Sequence, residues 1–287
     1  MSTVPRSLSA EDLPRPEALL HQAGSENFTV ANRLLGAGTC RHLMAIYGYA
    51  RLVDDVGDEA PGDRNALLDV VEDELSAVYA GGAPEHPIMR ELSLTVRACA
   101  LPEDPLRRLL AANRMDQTVS RYETWDGLME YCSLSATPVG ELVLHVFGAA
   151  TPERVALSDR ICAGLQVAEH LQDIAEDHAR GRVYLPAEDM RRFDVDERSL
   201  ERAGTPDGRL RALIGYEAAR ARGLLAAGAP LARTLPLRPR IAVAGFVAGG
   251  RAALAGLPSA GPGGRPASGH SRTRALAAAF PRSVLGR

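Results

Sequence analysis

The sequence contains no lysine: all 33 residues counted as lysine or arginine are arginine. This absence excludes Schiff-base catalysis and the lysine-dependent phosphate loop. A phosphate or diphosphate would have to be bound by arginine, metal ions, hydroxyl groups or backbone amides, and arginine suits this role through its planar, bidentate donors. The net charge of −3 predicts no general attraction to nucleic acid or to an anionic membrane, although a local arginine cluster could still bind an anion.

Cysteine and long apolar segments are scarce as well. The cysteines at 40, 99, 132 and 162 form no CxxC pair, which predicts small, buried side chains in a reducing compartment. The N-terminus has no basic start followed by an apolar core, and the longest charge-free apolar stretch, "IAVAGFVAGG", is about half as long as a membrane span. We therefore expect a cytoplasmic protein, with peripheral membrane contact left open.

What the sequence does contain is helical periodicity. Apolar residues recur at spacings of three and four without clear period-two alternation, which predicts an all-α protein. Proline and glycine signals separate the predicted helices, which lie at about 39–59, 64–80, 86–100, 103–120, 124–148, 152–179, 207–233 and 238–255. We expect a flexible N-terminus at 1–16, one helical domain at 17–255 and a flexible tail rich in glycine, proline and arginine at 256–287.

The first of two acidic clusters is "YARLVDDVGDEAPG", residues 49–62. On a helix that starts at an N-cap Thr39, Tyr47, Arg51, Asp54 (or Asp55) and Asp58 share one face. Carboxylates one turn apart repel by a few tenths of a kcal/mol unless a cation lies between them. The plainer alternative is that Arg51 and solvent satisfy these acids at the helix end.

The second cluster is "LQVAEHLQDIAEDHARGRVYLP", residues 165–186. It again places two aspartates, Asp173 and Asp177, four residues apart, with Gln166, Glu169 or His170 preceding them on the same face. Two such pairs could face each other across a cavity. Carboxylate oxygens suit Mg²⁺, which keeps positions for water and phosphate oxygens, and such a pair of motifs fits metal-assisted departure of diphosphate.

Three segments together resemble the squalene and phytoene synthase family over about residues 25–255. The two acidic clusters resemble its first and second Asp-rich motifs, and "RYETWDGLMEYCSLSATPVGELVLHVFG" resembles the Tyr-Cys segment between them. The resemblance implies an enzyme with a single-domain isoprenoid-synthase fold, in which both motifs line a central cavity and Mg²⁺ binds a prenyl diphosphate. The implied metal ligands are Asp54, Asp58, Asp173 and Asp177.

Further roles follow from the same resemblance. Tyr47 and Arg51 would contact diphosphate, Phe28 would line the pocket nearby, and Gln166 would border the reacting carbons. Tyr131 matches a tyrosine proposed to assist the cationic steps, although packing alone could also explain it. Arg182 either approaches the diphosphate or pairs with a nearby acid.

Several positions depart from the condensing members of the family. Glu169 and Gln172 replace an asparagine and a phosphate-facing arginine in the second motif, "GSENFTVAN" replaces a diphosphate-contacting stretch, and Phe246 replaces a tyrosine. These losses concern the binding of a second diphosphate. They resemble the branch of the family that forms hydroxysqualene in bacterial hopanoid biosynthesis.

That branch implies a lyase-type reaction without NADPH. Presqualene diphosphate ionises, the cation rearranges, and water captures it, with Glu169 or His170 as the candidate that orients the water. One alternative is a condensing prenyltransferase that makes presqualene diphosphate or phytoene. The other is a non-catalytic helical scaffold of the same fold.

Overall fold

The computed structural model describes residues 8–15, 35–203 and 205–258. Thirteen α-helices and one 3₁₀ turn form in these ranges, which contain no strand, so the predicted all-α class is confirmed. Phe28 and residues 259–287 of the predicted tail lie outside them. No helix in the described ranges is long and apolar enough to cross a membrane.

The first six helices are α1 (Ala37–Asp58), α2 (Arg64–Tyr79), α3 (Pro87–Cys99), α4 (Glu103–Asp116), α5 (Trp125–Ser135) and α6 (Thr137–Val146). The others are α7 (Pro152–Gln172), α8 (Ile174–Ala179), α9 (Ala187–Arg192), α10 (Glu197–Leu200), α11 (Gly208–Gly228), α12 (Leu231–Thr234) and α13 (Leu237–Ala255). Within the predicted N-terminal segment, a 3₁₀ turn at Ala10–Asp12 is followed by a buried Leu13.

The observed helices differ from the predicted ones in three respects. The first helix begins at Ala37 after Gly36, whose φ of 88° needs a glycine, so Thr39 is not its N-cap. Three predicted helices are each divided in two, at residues 136, 173 and 229–230. The short helices α9 and α10 were missed, because fewer than two turns give no clear apolar period.

The buried apolar side chains form two adjoining cores. One core lies among α1, α2, α3 and α4, and the other among α5, α7, α11 and α13. Helix α6 contributes to both. Its Gly140 faces α7 so closely that an added Cβ would lie 2.4 Å from Ser158 Oγ and 2.5 Å from Cys162 Sγ. We call this contact between α6 and α7 the seam.

Helices α1, α7 and α13 begin at the same end of the bundle. Arg154, on the first turn of α7, donates to the carbonyl of Thr234 at 2.6 Å, just before α13. A Cβ at Gly36, at the start of α1, would lie 3.8 Å from Arg238 of α13. The acidic motifs, at the C-terminal ends of α1 and α7, therefore meet at the opposite end, which we call the acidic end.

Candidate functional site

The acids of the first motif divide among different partners. Arg51 is buried on α1, and its Nη2 lies 2.5 Å from Asp55 Oδ1 and 3.8 Å from Glu59 Oε1. The Glu59 side chain is 71% exposed. Tyr47, one turn before Arg51, is also buried. The plainer interpretation of the acidic cluster therefore holds for Asp55 and Glu59, which Arg51 and solvent satisfy.

Asp54 faces helix α4. Asn113 Nδ2 donates to Asp54 Oδ1 at 3.1 Å, whereas Asp54 Oδ2 is buried with no hydrogen-bond partner among the described residues. Burial raises the pKa of Asp54 well above its usual range, against the effect of the Asn113 hydrogen bond. The two helices approach closely here because Gly57 has no side chain: a Cβ would lie 2.2 Å from Asn113 Oδ1.

Asp58 connects the two motifs. It is the last residue of α1, and its Oδ1 accepts from Arg182 Nη2 at 2.6 Å. Arg182 belongs to the segment directly after α8, the helix that carries Asp177. The sequence left two roles open for Arg182, and the structure shows the ion pair with an acid.

Asp116, at the end of α4, holds the hydroxyl of Tyr131. Tyr131 donates to Asp116 Oδ2 at 2.9 Å, and the other carboxyl oxygen is buried with no hydrogen-bond partner in the described ranges. Burial raises the pKa of Asp116 to about 6, while Arg182 and the Tyr131 hydrogen bond lower it. The pKa of Tyr131 is also raised, chiefly by burial, so its hydroxyl stays protonated and donates. Tyr131 therefore does more than pack.

An aromatic cluster forms next to these acids from Tyr122, Tyr131, His170 and Tyr184. His170 stacks on Tyr184 with 3.8 Å between ring centroids, and Tyr131 lies 5.6 Å from Tyr184 and 5.3 Å from Tyr122. Pairing of the segments 120–122 and 182–184, in which the amide of Val183 donates to the carbonyl of Ser120 at 2.9 Å, brings the rings together. The cluster gives the acidic end an aromatic wall.

The second motif contains a break in its helix. Helix α7 ends at Gln172 and α8 begins at Ile174, with Asp173 between them at φ −104° and ψ 13°. The amide of Asp177 still donates to the carbonyl of Asp173 at 2.8 Å, so the two acids remain one turn apart, and both are buried.

His170 lies between Asp177 of this motif and Gln166, one turn earlier on α7. Its Nδ1 lies 3.9 Å from Asp177 Oδ2, and its other ring nitrogen lies 3.2 Å from the amide nitrogen of the fully buried Gln166. A small pocket is lined by His170, Asp177, Arg182 and Tyr184. Glu169 is half-buried on α7, and its carbonyl accepts from the amide of Asp173 at 3.0 Å.

The oxygens at the acidic end suit a hard divalent cation. Asp54 Oδ2 and Asp116 Oδ1 are buried carboxyl oxygens without a hydrogen-bond partner among the described residues, and a cation would satisfy them. No three acidic, histidine or cysteine side chains in these ranges are grouped closely enough to hold an ion. The carboxyl oxygens suit Mg²⁺ in their chemistry, but they are not gathered around one point in the described residues, because Asp58 and Asp177 lie against Arg182 and His170.

Comparison with known proteins identifies the family. A profile described as squalene/phytoene synthase matches residues 21–274. The chain belongs to this family of enzymes. A hydroxysqualene synthase of Rhodopseudomonas palustris is 36% identical over 210 residues, which cover 72% of this chain and 70% of the relative. A hydroxysqualene synthase of Sinorhizobium fredii is 34% identical over 224 residues, 76% and 73% of the two chains.

Solved structures of the family share the fold. A squalene synthase HpnC from Alicyclobacillus acidocaldarius superposes with a TM-score of 0.77 at 38% identity, covering 86% of this chain and 95% of the other. A dehydrosqualene synthase in complex with ligand superposes with a TM-score of 0.79 at 24% identity, covering 94% and 93%. The isoprenoid-synthase fold expected from the motifs is thus confirmed.

Four residues of this squalene/phytoene synthase site were not singled out from the sequence: Gly57, Asn113, Asp116 and Tyr184. Asn113 and Asp116 occur in "AANRMD", at the end of helix α4. They are three residues apart and so share one face of the helix, and Asn113 lies among its buried residues. Two polar residues at helical spacing were the sequence feature that could have indicated Asn113 and Asp116. Tyr184 lies within the second motif, but nothing in the sequence shows that its ring stacks on His170.

Proposed function

We propose that the protein converts presqualene diphosphate to hydroxysqualene in a Mg²⁺-dependent reaction that needs no NADPH. The observation that carries the proposal is its similarity to two hydroxysqualene synthases over more than two thirds of each chain. The neutral Gln172 at the position of the phosphate-facing arginine of condensing enzymes supports it, because a second diphosphate would lack that partner.

The arrangement of arginines fits one diphosphate. Arg51 and Arg182 lie at the first motif, each in an ion pair with a carboxylate of α1. Arg182 is the one able to exchange partners, since it bridges the two motifs from a loop after α8. In the proposed reaction it leaves Asp58 and donates to the diphosphate, while Tyr47 and Arg51 contact the same group from α1.

The proposed metal ligands are Asp54, Asp58, Asp173 and Asp177. Bound Mg²⁺ would neutralise the charge that develops on the departing diphosphate. Binding of an ion at Asp54 would also stabilise the ionised form of this buried carboxyl, whose charge burial otherwise disfavours.

The chemical steps balance without a redox partner. The carbon–oxygen bond to diphosphate breaks with its electron pair on oxygen, and the cyclopropylcarbinyl cation rearranges. A water oxygen then bonds to the cation and releases one proton. In the proposed reaction, the stacked rings of the aromatic cluster would present their electrons to the cation and keep bulk water away from it until the last step. We assign orientation of the captured water to Glu169 or His170, with Gln166 beside the reacting carbons.

The test is a product analysis. Purified protein is incubated with Mg²⁺ and either presqualene diphosphate or farnesyl diphosphate, without NADPH, and the extracted products are identified by mass spectrometry. Hydroxysqualene from presqualene diphosphate alone is the expected result, and chelation of the metal should abolish it. Product from farnesyl diphosphate would instead support a condensing prenyltransferase, and no product from either would support a scaffold role.

A matched pair of variants tests the water assignment. Glu169→Gln should lose hydroxysqualene formation more than substrate binding. Glu176→Gln removes the same charge from α8, where the side chain is 50% exposed and paired with Arg180, and should behave like the unmodified protein. Unchanged product formation by Glu169→Gln would leave His170 as the candidate.

A further inference from the structure

The net charge of −3 conceals a strong division along the chain. Residues 1–217 contain all 36 acids and 22 arginines, whereas residues 218–287 contain 11 arginines and no acid. Glu217, on α11, is the last acidic residue. Such asymmetry between two parts of a chain is typical of proteins that bind a polyanion or an anionic membrane.

The described part of this cationic region presents an apolar pair at the start of α13. Leu237 is 68% exposed and Ile241, one turn later, is 46% exposed. They are two of the four large hydrophobic residues that are exposed in the described ranges. Arg233 on α12 and Arg238 on α13, four residues before and one residue after Leu237, are exposed as well. We call these four residues the α13 surface.

The α13 surface lies at the end of the bundle opposite the acidic end. It adjoins the start of α1, where Arg238 approaches Gly36, and the start of α7, where Arg154 binds Thr234. From the first residue of α1 to Asp54 the helix rises about 25 Å. A surface at that distance does not share its cations with the diphosphate site.

We propose that the α13 surface docks the protein onto an anionic lipid bilayer. Arginine beside exposed leucine and isoleucine matches the interface of such a bilayer, where cations meet phosphate groups and apolar side chains enter the boundary with the acyl chains. A nucleic acid or an acidic protein would use the arginines but would not require the exposed pair. The proposal goes beyond the catalytic reaction and does not depend on which prenyl diphosphate is used.

The test is co-sedimentation of the full chain with vesicles. One set contains phosphatidylglycerol and phosphatidylcholine in equal parts, and the other contains phosphatidylcholine alone. We expect binding to the anionic vesicles, weakened by salt, and little binding to the neutral ones. Arg233→Gln/Arg238→Gln should weaken binding by about 25-fold, since each arginine near such a surface contributes roughly fivefold. Leu237→Ser/Ile241→Ser should also weaken it.

The control is Leu8→Ser/Arg198→Gln, which changes one exposed leucine three residues before Glu11 and one exposed arginine on α10. It should bind the anionic vesicles like the unmodified protein. Equal binding of all three double variants, or equal binding to both kinds of vesicle, overturns the proposal. So does binding to heparin that depends on the arginines while vesicle binding does not depend on Leu237 and Ile241, or a Leu237→Ser/Ile241→Ser change that alters only the oligomeric state.

Discussion

Replacing Gly57 with alanine should disturb Asp54 of the candidate site through Asn113, which lies against both residues. The new Cβ would lie 2.2 Å from Asn113 Oδ1, 3.0 Å from its Cγ and 3.2 Å from its Cβ, so Asn113 has to move away from α1. In moving, it loses its hydrogen bonds to Asp54 at 3.1 Å and to the Leu109 carbonyl at 3.3 Å. Asp54 then has neither carboxyl oxygen satisfied.

The magnitude follows from opposing contributions. Alanine favours a helix over glycine by about 1 kcal/mol. Overpacking costs about 1–3 kcal/mol, and loss of a hydrogen bond to a charged group costs about 1.5–3 kcal/mol. We therefore expect Gly57→Ala to lower the free energy of unfolding by about 1.5–5 kcal/mol, and Tm by roughly 2–4 °C for each kcal/mol. Activity should also fall, because Asp54 is a proposed metal ligand.

The matched control is Gly38→Ala on the same helix, where no atom lies within 4 Å of an added Cβ. It should raise stability by up to about 1 kcal/mol and leave activity unchanged. Both variants are compared by thermal unfolding and by product formation. If Gly57→Ala is as stable and as active as Gly38→Ala, the close contact between α1 and α4 does not position Asp54.

Three further predictions concern single polar groups. Asp54→Asn should abolish activity without lowering the free energy of unfolding in chemical denaturation, because a neutral amide replaces a buried carboxylate; a large loss of stability would contradict this. Tyr131→Phe keeps the ring but removes the donor to Asp116, so we expect a stability loss of about 1–2 kcal/mol and an altered product ratio; unchanged products would reduce Tyr131 to a packing role. Burial raises the pKa of Glu217 from 4.5 to about 8, with Asp189 raising it further and Arg220 opposing. The folded state therefore holds a proton that the unfolded state releases, so stability should fall as pH rises from about 4.5 to 8, by on the order of 2–4 kcal/mol; Glu217→Gln should flatten this pH dependence in urea unfolding, and an unchanged slope would refute the assignment.

Much of the fold could be predicted from the sequence, because the spacing of apolar residues and the prolines and glycines between helices determine helix formation locally. Helix α2 was expected at 64–80 and forms at Arg64–Tyr79. The breaks in longer helices were not predictable in the same way. Residues 165–179 keep helical spacing through Asp173, and the local non-helical ψ there is visible only in three dimensions.

Only the site residues within the two acidic motifs could be predicted from the sequence. Helical spacing placed Asp58 and either Asp54 or Asp55 on the face of Arg51, and the resemblance to the family selected Asp54. Their partners come from elsewhere: Asn113 is 59 residues away from Asp54, and Arg182 is 124 residues away from Asp58. No periodicity within a helix carries that information. The roles assigned to Phe28, Tyr47 and the four aspartates remain predictions.

The seam between α6 and α7 has a consequence for the distance between the two acidic motifs. The first acidic motif lies on a helix of one core and the second on a helix of the other, so the distance between the motifs depends on how the cores are spaced. Gly140 sets that spacing at one point, where a single methyl group would push Ser158 and Cys162 away. A larger residue at this contact would shift one core relative to the other, and with it one pair of aspartates relative to the other, although no aspartate is replaced. Residues distant from both acidic motifs thus set the geometry of the proposed metal site.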